Sequence, residues 1–338
     1  MSDKIKIGEV VIERNSIKRG FITVMKTPTR TIQFPYMVAN GEKAGPILTL
    51  LAGDYGRDYN GFLAICDLFQ EIDVNSLSGT ILAIPFLNLA ALEEKSDFSS
   101  IDLRLPNLNR AFPGSPDGSP NARLIDKAII EVLSMSDFFI LLEAGGGTKH
   151  HISTVSYTTI GNEKVDQLSE KLARNFITAE YVYSRHIDPR TNPPSNFQTG
   201  MVSKGIPSIT ADVGGETAEI DEKAVTRFLY GVLNIMKYLK MLEGKAEKIV
   251  QNTLIDRYRL RVTQPGIFRP KIKAGDIVKK DQVLGEVIDV IGNVLETIIS
   301  PADGVIYVLL CTGPMHRMLP TVLPAQGIVD VATYKKLY

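Results

Sequence analysis

The sequence contains little of the chemistry on which most metal, redox and disulfide proteins depend. Its 338 residues include four His, two Cys and no Trp. The two cysteines, Cys66 and Cys311, are far apart and both stand in apolar runs. A disulfide scaffold is therefore excluded, and the pattern predicts two buried thiols in a reducing compartment.

An excess of charge and a long hydrophobic run are also lacking. The 38 Lys and Arg residues balance 38 Asp and Glu residues, so no broad attraction to nucleic acid or to an anionic membrane is expected. No apolar run approaches the ~20 residues of a membrane span. Residues 1–10 lack the basic-then-apolar pattern of a signal peptide. These absences predict a cytoplasmic protein.

The first two thirds of the chain show the pattern of buried strands that alternate with amphipathic helices. Continuous apolar runs suit strands covered on both faces, and they stand at 45–53, 78–88, 137–147 and 205–215. Apolar residues at helical spacing stand at 60–72, 121–135, 163–176 and 222–242. The alternation predicts an α/β fold with a mixed, mainly parallel sheet flanked by helices.

The character of the chain changes after about residue 255. Short apolar segments there are punctuated by Gly, Pro and Asp-Gly, without helical spacing, which is typical of a small all-β barrel or sandwich. A chain of this length also fits two domains. We predict an α/β domain over 1–250, with the N-terminal strands included, and an all-β domain over 251–338.

Polar residues follow four of the predicted strands. Ligands of parallel α/β sheets gather beyond the carboxyl ends of the strands, so these segments are the candidate site. They are 52–61 (AGDYGRDYNG), 107–114 (NLNRAFPG), 142–147 (LEAGGG) and 210–215 (TADVGG).

These segments resemble the motifs of the succinylglutamate desuccinylase/aspartoacylase family, relatives of zinc carboxypeptidases. The family pattern is Gly-x-His-Gly-x-Glu-x-x-Gly, then Asn-Leu-Asn-Arg-x-Phe-Pro-Gly, a strand ending Asp-Leu-His, and Thr-x-Glu-x-Gly-Gly. Residues 107–114 match the second motif completely. The resemblance implies a zinc-carboxypeptidase-like fold and a deacylase acting on a small acidic N-acyl substrate. The tail, with 273–278 and 300–304, resembles the biotinyl/lipoyl-like module of some members, although 289–292 holds no lysine for cofactor attachment.

The zinc-ligand positions of the family are substituted in this sequence. The resemblance places Tyr55 at the first His, Asp58 at the Glu and Glu143 at the second His, and Asp212 at the Glu that serves as general base. Zinc in hydrolases prefers imidazole with a carboxylate, and a phenol is a poor ligand near neutral pH. The family zinc site is therefore not encoded.

Three clustered carboxylates leave several interpretations open. Oxygen donors prefer a hard cation, Mg²⁺, Mn²⁺ or Ca²⁺. Without a cation the carboxylates repel one another and at least one pKa should rise. Arg57 and Arg110 could instead neutralise the cluster, which predicts an ion-paired pocket without a metal. Metal-free acid–base chemistry at Asp212 is the remaining interpretation.

Arg110 and Asn109 are the candidate substrate-binding residues. A guanidinium group binds a carboxylate through two parallel hydrogen bonds, and the resemblance implies this role for Arg110. Asn109 would assist by a hydrogen bond or by positioning the loop. The structural alternative is an ion pair of Arg110 with Asp58 or Asp102.

The histidines and the glycine run give weaker signals. Since neighbouring residues of a strand point to opposite faces, at most one of His150 and His151 faces the pocket, and a surface position is expected for both. His186 is assigned to a basic loop and His316 to a structural role. The run 145–147 is followed by no Walker-type Lys-Ser/Thr, so no nucleotide site is predicted.

Two functions therefore remain open from the sequence. The first is a deacylase in which Asp212 acts as base. The second is a non-catalytic member that binds a small anion, in keeping with the loss of both histidines. In either case the predicted partner is a small carboxylate-bearing molecule, and homo-oligomer formation is left open.

Overall fold

The protein is described by a computed structural model that covers residues 4–144, 149–213, 220–310, 321–322 and 326–336. The glycine runs at 145–147 and 214–215, Cys311 and His316 lie outside the described residues, so the interpretations given to them stay predictions.

Nineteen strands and six α-helices make up the described residues. The strands are β1 Ile5–Ile7, β2 Val10–Ile12, β3 Ser16–Lys26, β4 Thr31–Asn40, β5 Lys43–Ala52, β6 Ser78–Ile84, β7 Phe138–Glu143, β8 Lys149–His151, β9 Thr154–Thr159, β10 Tyr181–His186, β11 Ser208–Asp212, β12 Asn252–Arg261, β13 Gly266–Pro270, β14 Ile277–Val278, β15 Val283–Ile288, β16 Val294–Ile299, β17 Gly304–Leu310, β18 Thr321–Val322 and β19 Gly327–Lys335. The helices are α1 Tyr59–Glu71, α2 Leu89–Glu93, α3 Pro120–Glu131, α4 Glu163–Asn175, α5 Phe197–Ser203 and α6 Glu222–Tyr238. None of these helices is long and apolar enough to cross a membrane.

A large mixed sheet organises the molecule. Its strand order is β14-β17-β19-β12-β10-β9-β11-β7-β5-β6-β4-β3, with β8 paired to β17. The pairs β5–β6, β5–β7, β7–β11, β9–β10 and β10–β12 are parallel. The mixed α/β fold predicted from the alternating pattern is confirmed.

The helices cover both faces of this sheet. Alternate residues of a strand point to opposite faces, and in β7 Ile140 packs with α1, α4 and α6 whereas Leu141 packs with α3 and α5. Because both faces are covered, the central strands are apolar throughout, which is the pattern that the sequence shows. Each face has its own hydrophobic core.

Two elements near the site, β10 and α5, are not among the predicted strands and helices. Strand β10, with Tyr181 and Tyr183, lies between β9 and β12 in the sheet. Short helix α5 begins with an Asn196 capping box. Both elements contribute side chains to the cavity described below.

The C-terminal strands are not separate from the α/β part. The all-β character is confirmed for the described residues after 251, where β16-β15-β13-β18 form a second, four-stranded antiparallel sheet that packs against β17 and β19. However, β12 pairs in parallel with β10, and β17 and β19 extend the same large sheet. The likeness of this part to a biotinyl/lipoyl module stays a prediction.

A chain that ends at residue 250 should therefore fold poorly. Removing 251–338 would expose the edge of β10, whose Val182 is fully buried, and would delete Gln251, whose amide donates to the carbonyls of Phe176 and Ala179 at 3.1 Å each. Exposed strand edges promote aggregation. Compared with the full chain, the truncated chain should elute as oligomers in size-exclusion chromatography. It should also raise the fluorescence of a dye that binds exposed hydrophobic surface. A monomeric truncation with a cooperative melt would instead support 1–250 as an independent domain.

Candidate active site

The candidate site lies where three neighbouring parallel strands end. In the register of the sheet, Ala52 of β5 is the partner of Leu142 of β7, and Asp212 of β11 is the partner of Glu143. The residues that follow β5 thus meet the ends of β7 and β11 at one edge. The register thus brings three of the four predicted segments to one edge of the sheet.

A cavity of about 370 Å³ opens at this edge. Tyr55, Asn109, Arg110, Glu143 and Asp212 all line it. The sixth predicted side chain, Asp58, is 1% exposed and is not among the residues that line the cavity. The volume falls within the range of small-molecule sites, roughly 300–1,000 Å³.

Asp54 is a further member of the cluster that sequence reasoning missed. It occupies the unspecified position of the first motif, next to Tyr55, so the resemblance gave it no role. In the structure it is 1% exposed, and its charge is one of the causes that raise the pKa of Glu143. Neither oxygen of the Asp54 carboxyl group has a hydrogen-bond partner among the described residues.

The buried carboxyl groups hold their protons more strongly than usual. Burial raises the pKa of Asp54 to about 7 and that of Asp212 to about 8. The pKa of Asp58 and that of Glu143 are raised well above their ordinary values, first by burial and then by the charge of Asp54. Loss of water disfavours the charged form, and neighbouring negative charges add to the effect. The expected rise of at least one pKa is thereby supported.

The motif loop supplies two amides to the cluster. Asn109 donates from Nδ2 to Oε1 of Glu143, and Asn107 donates from Nδ2 to the Tyr55 hydroxyl at 3.4 Å. Asn109 is 5% exposed, and its Oδ1 has no donor among the described residues. The loop therefore positions Glu143 and leaves one buried acceptor available.

The predicted ion pairs with the carboxyl cluster are wrong. Arg57 pairs with Asp97 at 2.8 Å, and Arg110 donates to the carbonyl oxygen of its neighbour Asn109. Asp102, the alternative partner of Arg110, accepts hydrogen bonds from the backbone amides of Leu105 and Asn121. The guanidinium group of Arg110 therefore forms no ion pair with a described carboxylate and can bind an anionic ligand in the cavity.

A second cationic wall was not foreseen. Arg185 of β10 and Arg257 of β12 line the cavity and lie over tyrosine rings. The Arg257 guanidinium carbon is 4.9 Å from the ring centre of Tyr307 and 5.4 Å from that of Tyr183. Arg185 lies 5.5 Å from the Tyr183 ring centre and donates to its hydroxyl at 3.1 Å. The aromatic and β-branched residues at 181–183 favour a strand, but nothing local places Arg257 beside it.

The remaining cavity side chains have partners of their own. Arg259 pairs with Asp330 at 3.0 Å. His151 lines the cavity with its ring 5.7 Å from that of Tyr307, so its predicted surface position is wrong, and one member of the His pair does face the pocket. His186 lies outside the cavity lining, 3.1 Å from the Thr159 hydroxyl.

The donor set does not fit a zinc ion. The family ligand positions hold a phenol and two carboxyl groups, and burial raises the pKa of Tyr55 well above its ordinary value, so the phenolate is disfavoured. Zinc prefers imidazole and thiolate donors. Within the part of the chain that the structure describes, no three or more His, Cys, Asp or Glu side chains are arranged to hold a metal ion. The hard-cation interpretation gains no support from this geometry.

The fold and the site together define an α/β protein with a polar ligand cavity at the carboxyl edge of a mixed sheet. The model of the succinylglutamate desuccinylase/aspartoacylase catalytic domain matches residues 44–239. The chain belongs to this family, as its motifs indicated.

Similar proteins of known name or structure support the same assignment. The N-α-acetyl-L-2,4-diaminobutyric acid deacetylase of Halomonas elongata is 23% identical over 291 residues, which cover 83% of this chain and 82% of the relative. A succinylglutamate desuccinylase from a Silicibacter species superposes with a TM-score of 0.85 at 19% identity, covering 99% of this chain and all of that one. The product-bound ectoine utilization protein EutE (DoeB) from Ruegeria pomeroyi gives 0.84 at 19% identity, covering 98% and 100%. The family thus includes deacylases, and the fold extends over nearly the whole chain.

Proposed function

We propose that the cavity binds a small carboxylate-bearing molecule and that the chain does not cleave it with a zinc ion. The carrying observation is the set of three cavity arginines, Arg110, Arg185 and Arg257. Among the described residues none of the three has a carboxylate oxygen within 4.0 Å, although each lines the cavity.

Guanidinium groups on a cavity wall that have no carboxylate partner among the described residues favour an anionic ligand. Two of them are fixed by tyrosines, because Arg257 lies over Tyr183 and Tyr307 and Arg185 donates to Tyr183. A guanidinium held in place loses less entropy when it binds a carboxylate, and its planar fork matches two carboxylate oxygens. Asn109 and Arg110 retain the motif that the family resemblance assigns to substrate binding.

The proposal is tested by calorimetry with a panel of small acids on the wild-type chain and on Arg185→Gln and Arg257→Gln. Each substitution should weaken binding of the tightest acid about 10- to 100-fold, since a hydrogen bond to a charged group contributes about 1.5–3 kcal/mol. Arg190→Gln is the matched control, because Arg190 is 88% exposed and pairs with Asp188 on the surface. Equal affinities in all four proteins would contradict the proposal.

Removal of an acyl group remains a second candidate function, favoured by the position of Asp212. Its carboxyl group lines the cavity beside Glu143, and its pKa of about 8 suits proton transfer near neutral pH. In this function Asp212 would take a proton from water while the arginines hold the acid group of the substrate. Release of acetate or succinate from N-acyl amino acids, lost in Asp212→Asn, would support it.

Location and assembly stay predictions. We keep a cytoplasmic location and a small anionic molecule as the partner, with no nucleic acid and no membrane, as the balanced charge of the sequence indicates. Homo-oligomer formation stays open.

A further inference from the structure

The charges of the cavity are separated into two poles. Arg110, Arg185 and Arg257 are exposed at the mouth, whereas Glu143 and Asp212 are partly buried and Asp54 behind them is 1% exposed. An anionic ligand held at the mouth would therefore present its other end to carboxyl groups.

The two poles do not neutralise each other. No guanidinium nitrogen of the three arginines lies within 4.0 Å of a carboxylate oxygen of the described residues. The charges of Arg185 and Arg257 lower the pKa of Asp212 at longer range, but none of the described residues donates a hydrogen bond to its carboxyl group. A ligand that carries only negative charge would leave Glu143 and Asp212 with raised pKa values, whereas a cationic group beside them would stabilise their charged form.

Asn109 provides an independent sign of a missing donor at the floor. The side chain is 5% exposed and lines the cavity. Its Nδ2 is used by Glu143, which fixes Oδ1 as an acceptor, and Oδ1 has no donor among the described residues. Buried acceptors without a partner are rare in folded proteins, and such a group calls for a ligand or a water molecule.

The missing group at the floor is a cation that donates hydrogen bonds. Among the described residues, no three or more His, Cys, Asp or Glu side chains are arranged to hold a metal ion, whereas a primary ammonium group carries one positive charge and three N–H donors. Glu143 and Asp212, whose carboxyl groups line the cavity, offer it acceptors. The ammonium would then supply the positive charge that a metal supplies elsewhere in the family.

We propose that the cavity recognises a free amino acid, with the ligand's ammonium group at Glu143 and Asp212 and its carboxylate at Arg110, Arg185 and Arg257. This inference rests on the proposed binding of a carboxylate and narrows it from any small acid to a zwitterion. N-Acyl amino acids lack the ammonium and are excluded as the preferred ligands.

Matched sets of probes test this inference. The wild-type chain is titrated by calorimetry with the twenty L-amino acids and 4-aminobutyrate, with their N-acetyl forms, and with the acids that lack the amino group. The best amino acid should bind at least about tenfold more tightly than its N-acetyl and amino-free counterparts, as expected for a charge-assisted hydrogen bond. In Asp212→Asn this preference should fall to less than about twofold while the amino-free acid still binds.

Control variants and the alternative outcomes separate this inference from the proposed function. Asp117→Asn and Arg190→Gln change exposed residues outside the cavity lining and should leave both affinity and preference unchanged. If N-acetyl or amino-free acids bind as tightly as the amino acids, the proposed preference for a zwitterion is wrong, whereas the proposed binding of a carboxylate is supported. If no probe of any set binds, both proposals are wrong. If the Asp212→Asn variant is folded, as its melting curve would show, and still prefers the amino acid over its N-acetyl form, the ligand's ammonium group does not bind at Asp212.

Discussion

Zinc binding should appear when Tyr55→His, Asp58→Glu and Glu143→His are combined in one chain, rising from less than about 0.1 to about one ion per chain. The three substitutions place two imidazoles and a glutamate at the positions that the family motifs assign to the metal. The strand register already brings Asp212 beside Glu143, so the three substitutions require no change in the pairing of the strands. Zinc at 100 times its dissociation constant would stabilise this variant by about 2.7 kcal/mol.

Elemental analysis and thermal melts measure this effect. A chelator should lower the melting temperature of the triple variant and leave that of the wild type unchanged. The variant with Tyr55→His and Asp58→Glu alone is the matched control, since a site that lacks its third ligand should bind zinc weakly. Stoichiometric zinc in the purified wild type, lost on Glu143→Ala, would contradict the conclusion that the donor set does not fit.

The free energy of unfolding should fall as the pH rises from about 5 to about 9. In the unfolded chain an aspartate loses its proton near 3.9, whereas the folded chain keeps the protons of Asp54 and Asp212 up to a pKa of about 7 and about 8. Between these values the folded state binds more protons than the unfolded state. The stability that these groups contribute is therefore complete at low pH and is lost as the pH rises through 7 to 8.

Urea titrations at several pH values measure this loss, which we expect to be on the order of a few kcal/mol. Asp54→Asn and Asp212→Asn each remove one buried ionisable group and should make the dependence on pH shallower. Asp117→Asn, which changes an exposed turn residue, should keep the slope of the wild type. Stability that increases between pH 5 and 9 would show that the carboxyl groups are ionised in the folded protein.

The sequence by itself determined the elements whose pattern is local. Apolar runs covered on both faces gave the positions of β5, β6, β7 and β11, and helical spacing gave α1, α3, α4 and α6, because these periodicities reflect which faces are buried. The complete motif at 107–114 and the order of the four polar segments gave the family. The resemblance to the family motifs predicted that Tyr55, Asn109, Arg110, Glu143 and Asp212 lie at one cavity, and all five line it.

Other features were decided only by the tertiary structure. Arg257 stands 72 residues after Arg185 in the chain, yet pairing of β12 with β10 brings both to one cavity wall. Asp54 had no motif role, and its significance comes from burial against Glu143. The expected ion pairs failed for a similar reason, because Asp97 arrives at Arg57 from a distant loop. The periodicity of a sequence shows which side chains are buried. The pairing of distant strands decides which charged side chains lie close together, and the chemistry of this cavity depends on that pairing.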